Sequence, residues 1–334
     1  MDSSLHQHRP VLFISYPRTT TNLLLQILNI GNQPNVLTGP YQSGYHFMAI
    51  FKYQMKNGIL DVPESKWTEE QRSSIGRMYQ ENFRELEETR LRAQKEHKLF
   101  FTKEHIPFLI DPVFQERYLQ ETGLRPEEPF VPLDDLGSVR SAFNCTLFSD
   151  DYLALWRPLF LIRHPLKTFP SLLRLENPTT KERQYASYTL FYFLRSLYDY
   201  YTDVHIKENL PEDEHSDNKS SPVHLRWPII IDADDYMEHP EMVERLAVTM
   251  GLDLSKLQYS WTAEDSGKPA GHMLKTLMGS TGIESDKLSR GLTIEGEMSK
   301  WVEEFGEEQA EILAKRVRDA LPDYKYLVSR RVKP

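Results

Sequence analysis

Several features are scarce or missing in this 334-residue sequence, and each absence excludes a class of protein. The single cysteine, Cys145, cannot form an intrachain disulfide, which favours a reducing compartment. No apolar run approaches the roughly 18 residues that a membrane span requires. The first ten residues, MDSSLHQHRP, lack the apolar core of a signal peptide. We therefore expect a cytoplasmic protein that does not bind a membrane.

An excess of positive charge is also missing. The formal net charge is −9 at pH 7, which argues against a nucleic acid or an anionic membrane as the main partner. Sets of Cys, His or carboxylate residues with metal-ligand spacing are missing as well, so we expect no metal. The composition is that of a globular protein, 40% hydrophobic and 27% charged. We treat residues 1–334 as a single domain, since this length suffices for one large α/β domain.

Four short apolar runs have the length of buried strands. They lie at residues 10–17, 98–105 and 157–165, and at the start of 227–252. Helix-like segments separate or follow them, including a charged stretch at 64–97, an aromatic-rich segment at 181–203 and a tail expected to be helical until Pro322. This alternation predicts a three-layer α/β fold, P-loop NTPase-like, with a mainly parallel central sheet flanked by helices.

Two segments match neither pattern. Residues 108–156 are irregular and contain several prolines, and a connection of this length predicts a lid or a substrate-facing insertion. Residues 211–222, PEDEHSDNKSSP, are polar throughout and predict a mobile surface loop.

Three of the four predicted strands run into basic residues. Arg18 follows the first strand, Lys103 and His105 end the second, and Arg163 ends the third. The carboxyl ends of parallel strands meet at one edge of the sheet, and ligands bind there in this class of fold. The sequence therefore predicts a cationic site at that edge.

The loop after the first strand, residues 18–22, predicts an anion site. Its amides precede a helix, whose free N–H groups and dipole favour negative charge. Arg18 adds a forked permanent charge, while Thr19, Thr21 and Asn22 add side-chain donors. A polar surface turn is the alternative. The loop lacks the Gly-x-x-x-x-Gly-Lys-Ser/Thr pattern, which argues against a nucleotide kinase or a GTPase.

Two further pairs of residues carry possible chemistry. Arg163 and Ser171 are eight residues apart, across Pro165, and can bind one further phosphate group if a helix returns Ser171 to the same edge. Lys103 and His105 share one side of an extended segment, which suits a cation and a general base. The alternatives are an Arg163–carboxylate pair with a helix-start serine, and a histidine satisfied at a strand end.

These motifs, in this order, resemble those of the PAPS-dependent sulfotransferases. The matching stretches are Pro17-Arg18-Thr19, Lys103-x-His105-x-Pro107, and Arg163-x-Pro165 with Ser171 eight residues on. A late strand–turn–helix segment, with Asp235 at its acidic turn, is also similar to the family. The resemblance covers roughly residues 10–325.

The resemblance implies binding sites for the donor PAPS, which is 3′-phosphoadenosine 5′-phosphosulfate. The loop at 18–22 would hold the 5′-phosphosulfate, and Arg163 and Ser171 would bind the 3′-phosphate. Arg290 and Gly291 are the nearest match to a late basic motif of the family, also near the 3′-phosphate, and Lys268 is the second choice. Many members have glycine where this loop has Thr20, although threonine tolerates a positive φ poorly.

The resemblance also implies the reaction, which yields PAP as the second product. His105 would remove the proton of the acceptor hydroxyl, while Arg18 and Lys103 would stabilise the developing negative charge. A small-molecule alcohol or phenol is the expected acceptor, because aromatic residues are frequent at 181–203 and near Tyr45. A homodimer is compatible with the sequence. The alternative function is a non-catalytic or repurposed sulfotransferase fold that binds a nucleotide or another ligand without sulfate transfer.

Overall fold

Five parallel strands form the central sheet of the computed structural model, in the order β2-β3-β1-β4-β5. They are β1 (Val11–Ser15), β2 (Val36–Thr38), β3 (Leu99–His105), β4 (Arg157–Ile162) and β5 (Ile229–Asp232). The structure describes residues 9–40, 44–120, 126, 128–137, 139–175, 182–207, 225–261 and 288–334. The predicted parallel α/β fold is confirmed, and the short strand β2 is an addition to the four predicted strands.

Helices cover both faces of this sheet. In chain order they are α1 (Thr21–Leu28), α2 (Met48–Lys56), α3 (Glu69–Lys95), α4 (Ile106–Leu109), α5 (Pro112–Leu119), α6 (Asp150–Leu153), α7 (Pro165–Leu173), α8 (Glu182–Tyr188), α9 (Tyr192–Lys207), α10 (Ala233–Glu238), α11 (Glu241–Met250), α12 (Ile294–Phe305) and α13 (Glu307–Val328). Alternate residues of β1 belong to two different hydrophobic clusters. Leu12 and Ile14 belong to one cluster, and Val11 and Phe13 belong to the other. Each face of the sheet therefore packs on its own layer of helices.

The charged stretch at 64–97 forms the long helix α3. Its first turn is closed by a capping box, in which Thr68 and Gln71 exchange hydrogen bonds between side chain and backbone. Buried residues such as Ile75 and Leu86 recur along one side, and the remaining surface is charged. The helix therefore packs against the sheet along a narrow apolar stripe.

Two helical segments differ from their predictions. The aromatic segment at 181–203 contains two helices, α8 and α9, and the Thr189 hydroxyl group after α8 donates to the carbonyl oxygens of its last turn. The tail breaks at Gly306, where φ is 83°, and then continues through Pro322 to Val328. Burial of Tyr324 and Leu327 on this helix outweighs the backbone hydrogen bond that the proline removes.

The segment at 108–156 contains α5, α6 and much irregular chain. Asp111 organises part of it, because its carboxylate caps α5, accepts from the Phe130 amide at 2.9 Å and pairs with Arg140 at 3.5 Å. Its role as a lid or a substrate-facing insertion stays a prediction. The loop predicted to be mobile, 211–222, lies outside the described residues. Among the helices that the structure describes, none is long and apolar enough to cross a membrane.

The strand register brings the predicted site together. In the pairing of β1 with β3, Ser15 lies opposite His105, and in the pairing of β1 with β4 it lies opposite Leu161. The loop that contains Arg18 therefore leaves the sheet beside the ends of both neighbouring strands. Because all three strands run in the same direction, their polar termini share one edge of the sheet.

Candidate active site

The loop between β1 and α1 has an unusual backbone. Arg18 has a φ of 68° and Thr20 a φ of 61°, both in the left-handed region that favours glycine. A β-branched residue in this conformation is strained by about 1–3 kcal/mol. The Thr20 hydroxyl accepts a hydrogen bond from Tyr236 at 2.7 Å, and the Thr20 carbonyl accepts another from it at 3.1 Å. These bonds hold the loop in a shape that its sequence disfavours, as is common at ligand-binding sites.

Two guanidinium groups meet at this loop. Arg18 Nε donates to the Ser171 hydroxyl at 2.8 Å, and an Arg163 terminal nitrogen donates to the Arg18 carbonyl at 3.1 Å. Burial lowers the pKa of both arginines, and the charge of Arg163 lowers the pKa of Arg18 further. The structure thus joins Arg18, Arg163 and Ser171, and an anion bound there would relieve the repulsion between the two like charges.

Lys103 lies beneath the same loop, with only 1% of its surface exposed. Its Nζ donates to Asn22 Oδ1 at 2.8 Å and lies 4.5 Å from the centroid of the Tyr45 ring. Burial lowers the pKa of Lys103 to about 7, against the opposing effect of the Glu104 charge. The amine can therefore lose its proton near neutral pH, and a bound anion would favour the protonated form.

Both ring nitrogens of His105 have partners within the protein. Nδ1 lies 3.1 Å from the Ser15 hydroxyl oxygen, and Nε2 lies 2.6 Å from the Tyr45 hydroxyl oxygen. Burial, followed by the charge of Lys103, lowers the pKa of His105 well below its usual value. The imidazole is therefore neutral at pH 7, which is the form that a general base requires.

The hydroxyl groups of Thr19 and Thr21 form an internal network. Thr19 donates to the Tyr16 carbonyl at 2.8 Å, and its oxygen lies 3.0 Å from that of Thr21. The Thr21 oxygen in turn lies 3.1 Å from that of Ser15. These two hydroxyl groups bind other protein groups here, and contact of Thr19, Thr20, Thr21 and Asn22 with the donor stays a prediction.

Arg290 lies in an ion-pair cluster with acidic residues. It is 54% exposed at its side chain and pairs with Glu238 and, at 3.3 Å, with Asp235. Asp235 is buried and also pairs with Arg331, which accounts for an acidic residue at this turn. Gly291, the next residue, has a φ of 76°. Contact of Arg290 and Gly291 with a 3′-phosphate stays a prediction.

Glu104 is a buried residue at this site that the sequence did not single out. Its Oε1 accepts from the amides of His46 and Phe47 at 2.6 and 3.1 Å, which fixes the segment that carries Tyr45. Burial raises the pKa of Glu104 to about 8. Side chains alternate along β3, so Glu104 lies on the face opposite Lys103 and His105. This alternation could have indicated from the sequence that Glu104 does not share their role.

Comparison with known proteins decides the family. No family model matches the chain. Two relatives named sulfotransferase ppzF are each 34% identical to it. The one from Metarhizium majus (strain ARSEF 297) aligns over 341 residues, 96% of each chain, and the one from Metarhizium rileyi (strain RCEF 4871) over 345 residues, 99% of this chain and 98% of the relative. The chain belongs to the sulfotransferase family.

Membership confirms the predicted enzyme class, and sulfotransferases generally use PAPS as the donor. A solved structure, the sulfotransferase domain from the Synechococcus PCC 7002 olefin synthase, aligns with 86% of this sulfotransferase and 89% of its own chain. The TM-score of that alignment is 0.39 and the sequence identity is 14%. Among the described residues of the sulfotransferase, no group of three or more His, Cys, Asp or Glu side chains could hold a metal ion.

A cavity lies next to the His105 end of β3 in the sulfotransferase. Aromatic side chains form much of its wall: Phe47, Phe51, Trp67, Tyr79, Phe108 and Tyr188. Phe108 lines the cavity, and its ring centroid lies 5.6 Å from that of the His105 ring. Tyr200, by contrast, donates to the Asp150 carbonyl at 2.7 Å, so the aromatic helix contributes to the core as well.

Proposed function

We propose that this sulfotransferase moves the sulfuryl group of PAPS to a hydroxyl group of a small-molecule alcohol or phenol. One observation carries the proposal: a buried lysine, a histidine and two guanidinium groups meet at the carboxyl edge of a parallel sheet. Each is at a strand end or in the loop that follows it. Such a group of residues suits the transfer of an anionic group to a deprotonated hydroxyl.

The residues of this edge fit a ligand with two separate anionic groups. The amides of the loop and Arg18 would hold the 5′-phosphosulfate, since they lie at the amino terminus of α1. Arg163 and Ser171 would hold the 3′-phosphate. The lowered pKa of each arginine supports this fit, because an anion bound beside a buried guanidinium group favours its charged form. When bound, PAPS supplies the sulfuryl group and leaves as PAP.

Three side chains would perform the chemistry. His105 accepts the proton of the acceptor, which contributes about 10²–10⁴-fold to the rate when a base is well placed. Lys103, protonated in the presence of the anionic donor, stabilises negative charge as it develops on oxygen. Asn22 keeps Lys103 against the loop through the 2.8 Å hydrogen bond.

The aromatic cavity next to Phe108 is the proposed acceptor site. Its wall offers ring faces and edges, which pack well against a planar aromatic acceptor. Its closeness to His105 would place an acceptor hydroxyl near the base. A phenol is therefore the acceptor class that the cavity favours over a long aliphatic alcohol. A cytoplasmic location and a homodimer stay predictions.

Calorimetric titration with 3′,5′-adenosine bisphosphate in metal-free buffer tests the donor site. We expect the native protein to bind and Arg163→Ala to bind roughly 10- to 100-fold more weakly, because hydrogen bonds to charged groups contribute about 1.5–3 kcal/mol. Arg77→Ala is the matched control, since it removes the same charge from the exposed surface of α3.

The outcomes separate the proposed function from its alternative. No binding by the native protein would contradict the donor site. Binding together with transfer from PAPS to 2-naphthol would support the sulfotransferase reaction at this site. Binding without transfer to any of a panel of phenols and alcohols would instead favour a repurposed fold that retains only the nucleotide site.

A further inference from the structure

A chain of hydroxyl groups connects the donor loop to the base. It begins at the Tyr16 carbonyl, which accepts from Thr19 at 2.8 Å. It continues from Thr19 to Thr21 at 3.0 Å and from Thr21 to Ser15 at 3.1 Å. It ends at His105 Nδ1, 3.1 Å from the Ser15 oxygen. Ser15, Thr19 and Thr21 are at most 5% exposed, so the hydrogen bonds between them are shielded from bulk water.

The direction of every bond in this chain follows from proton counting. A carbonyl oxygen only accepts, so the Thr19 hydroxyl must use its single proton to donate to it. The Thr21 hydroxyl must then donate to Thr19, and the Ser15 hydroxyl to Thr21. Ser15 is left as an acceptor, and His105 Nδ1 must donate to it. The neutral imidazole therefore carries its proton on Nδ1, and its lone pair is on Nε2.

The Tyr45 hydroxyl already binds that lone pair. Its oxygen lies 2.6 Å from Nε2, and it must be the donor because Nε2 has no proton to give. Burial raises the pKa of Tyr45 well above its ordinary value, so the phenol keeps its proton. An acceptor hydroxyl could contact Nε2 directly only if Tyr45 moved away.

The segment that carries Tyr45 is held firmly in place. Glu104 accepts from the amides of the two residues after Tyr45, and the Gly44 carbonyl before it accepts from the Lys103 amide at 3.2 Å. Gly44 has a φ of 143°, and a Cβ there would lie 2.7 Å from the Lys103 nitrogen. The Tyr45 residue is only 2% exposed, so its ring could leave Nε2 only by losing its packing against His105, Phe108 and the Lys103 amine. The geometry favours a tyrosine that stays and passes the proton on.

We propose, on the basis of the proposed function, that Tyr45 relays the proton between the acceptor hydroxyl and His105 Nε2. The acceptor O–H bond breaks and its proton joins the Tyr45 oxygen, while the Tyr45 proton moves to Nε2. The acceptor oxygen keeps the electron pair of the broken bond and uses it to bond to sulfur, and PAP departs with the electron pair of the old bond. Tyr45 ends neutral, and His105 ends as imidazolium paired through Nδ1 to Ser15.

The kinetic test uses Tyr45→Phe with PAPS and 2-naphthol. The variant keeps the ring that packs on His105 but has no proton to relay, so we expect kcat to fall about 10²–10⁴-fold. The KM for PAPS should change little. Proton inventories in H₂O/D₂O mixtures should indicate two protons in motion for the native enzyme. Tyr201→Phe, which loses a buried hydroxyl bonded to the Leu153 carbonyl, should retain native kcat. A native kcat for Tyr45→Phe would overturn the relay.

Nitrogen-15 NMR of the His105 imidazole gives a second measurement that needs neither donor nor acceptor. We expect a protonated Nδ1 in the native protein and in Tyr45→Phe. A proton on Nε2 in the native protein would overturn the relay whatever the turnover. Absence of turnover by the native protein would instead contradict the proposed function, so the two failures are distinguishable.

Discussion

Glu104 provides a sensitive test of how the active-site edge is built, through the substitution Glu104→Gln. The carboxyl group is 1% exposed and uses Oε1 to accept from the amides of His46 and Phe47. Glutamine has nearly the same shape, and its carbonyl oxygen can accept the same two bonds. It cannot ionise. The substitution therefore removes the titration and leaves the hydrogen bonds to the Tyr45 segment.

The expected effect depends on pH. Burial raises the pKa of Glu104 from its ordinary 4.5 to about 8. Between these values the folded protein holds a proton that the unfolded chain has released, so the free energy of unfolding decreases as pH rises. One pKa unit corresponds to about 1.4 kcal/mol. The stability of Glu104→Gln relative to the native protein should therefore increase by roughly 2–5 kcal/mol between pH 5 and pH 9.

Urea unfolding of both proteins at several pH values measures this difference. Taking the difference cancels the titration of shared groups that do not interact with Glu104. It does not cancel that of Lys103, whose pKa the Glu104 charge raises. Glu104→Ala serves as the contrast, since it leaves two buried amides without an acceptor and should lose stability by about 1–3 kcal/mol per amide at every pH. Parallel stability curves for the native protein and Glu104→Gln from pH 5 to pH 9 would refute the reasoning.

Two further predictions concern the donor loop. Because burial lowers the pKa of Lys103 to about 7, its amine is mostly unprotonated at pH 8, and binding of adenosine bisphosphate at that pH should take up nearly one proton. Calorimetry in two buffers of different ionisation enthalpy should detect this uptake for the native protein and its loss in Lys103→Met. Equal binding heats in the two buffers for the native protein would contradict the prediction. Thr20→Gly should unfold at a higher temperature than Thr20→Ala, by about 1 kcal/mol in stability, since glycine adopts a φ of 61° without strain. Both variants lose the bond from Tyr236 to the hydroxyl, so an alanine variant that equals or exceeds the glycine variant would argue against strain at this position.

Local patterns were enough to predict the main elements of the fold. The strands β1, β3, β4 and β5 can be predicted from their apolar runs, because strands buried on both faces have nearly continuous hydrophobic sequences. The three residues of β2 carry too little pattern to be detected in this way. The helix break at Gly306 and the helix that continues through Pro322 depend on packing, which overrides local preference.

The sequence by itself also determined which edge of the sheet is cationic. Parallel strands have one carboxyl edge, so basic residues at strand ends must gather there whatever the details of packing. Their partners, however, depend on contacts between distant parts of the chain. Arg18 reaches Ser171, 153 residues away, and His105 meets Tyr45 at a distance of 60 residues along the chain.

Only the tertiary structure decided the protonation states at the site. The lowered pKa of Lys103 and the raised pKa of Glu104 come from burial, which is a property of all the surrounding chain. The tautomer of His105 comes from a chain of hydroxyl groups that ends at the Tyr16 carbonyl. Residue identity along the chain predicts which groups can titrate. Their three-dimensional neighbours set where each proton lies, because solvation and hydrogen bonding act through space.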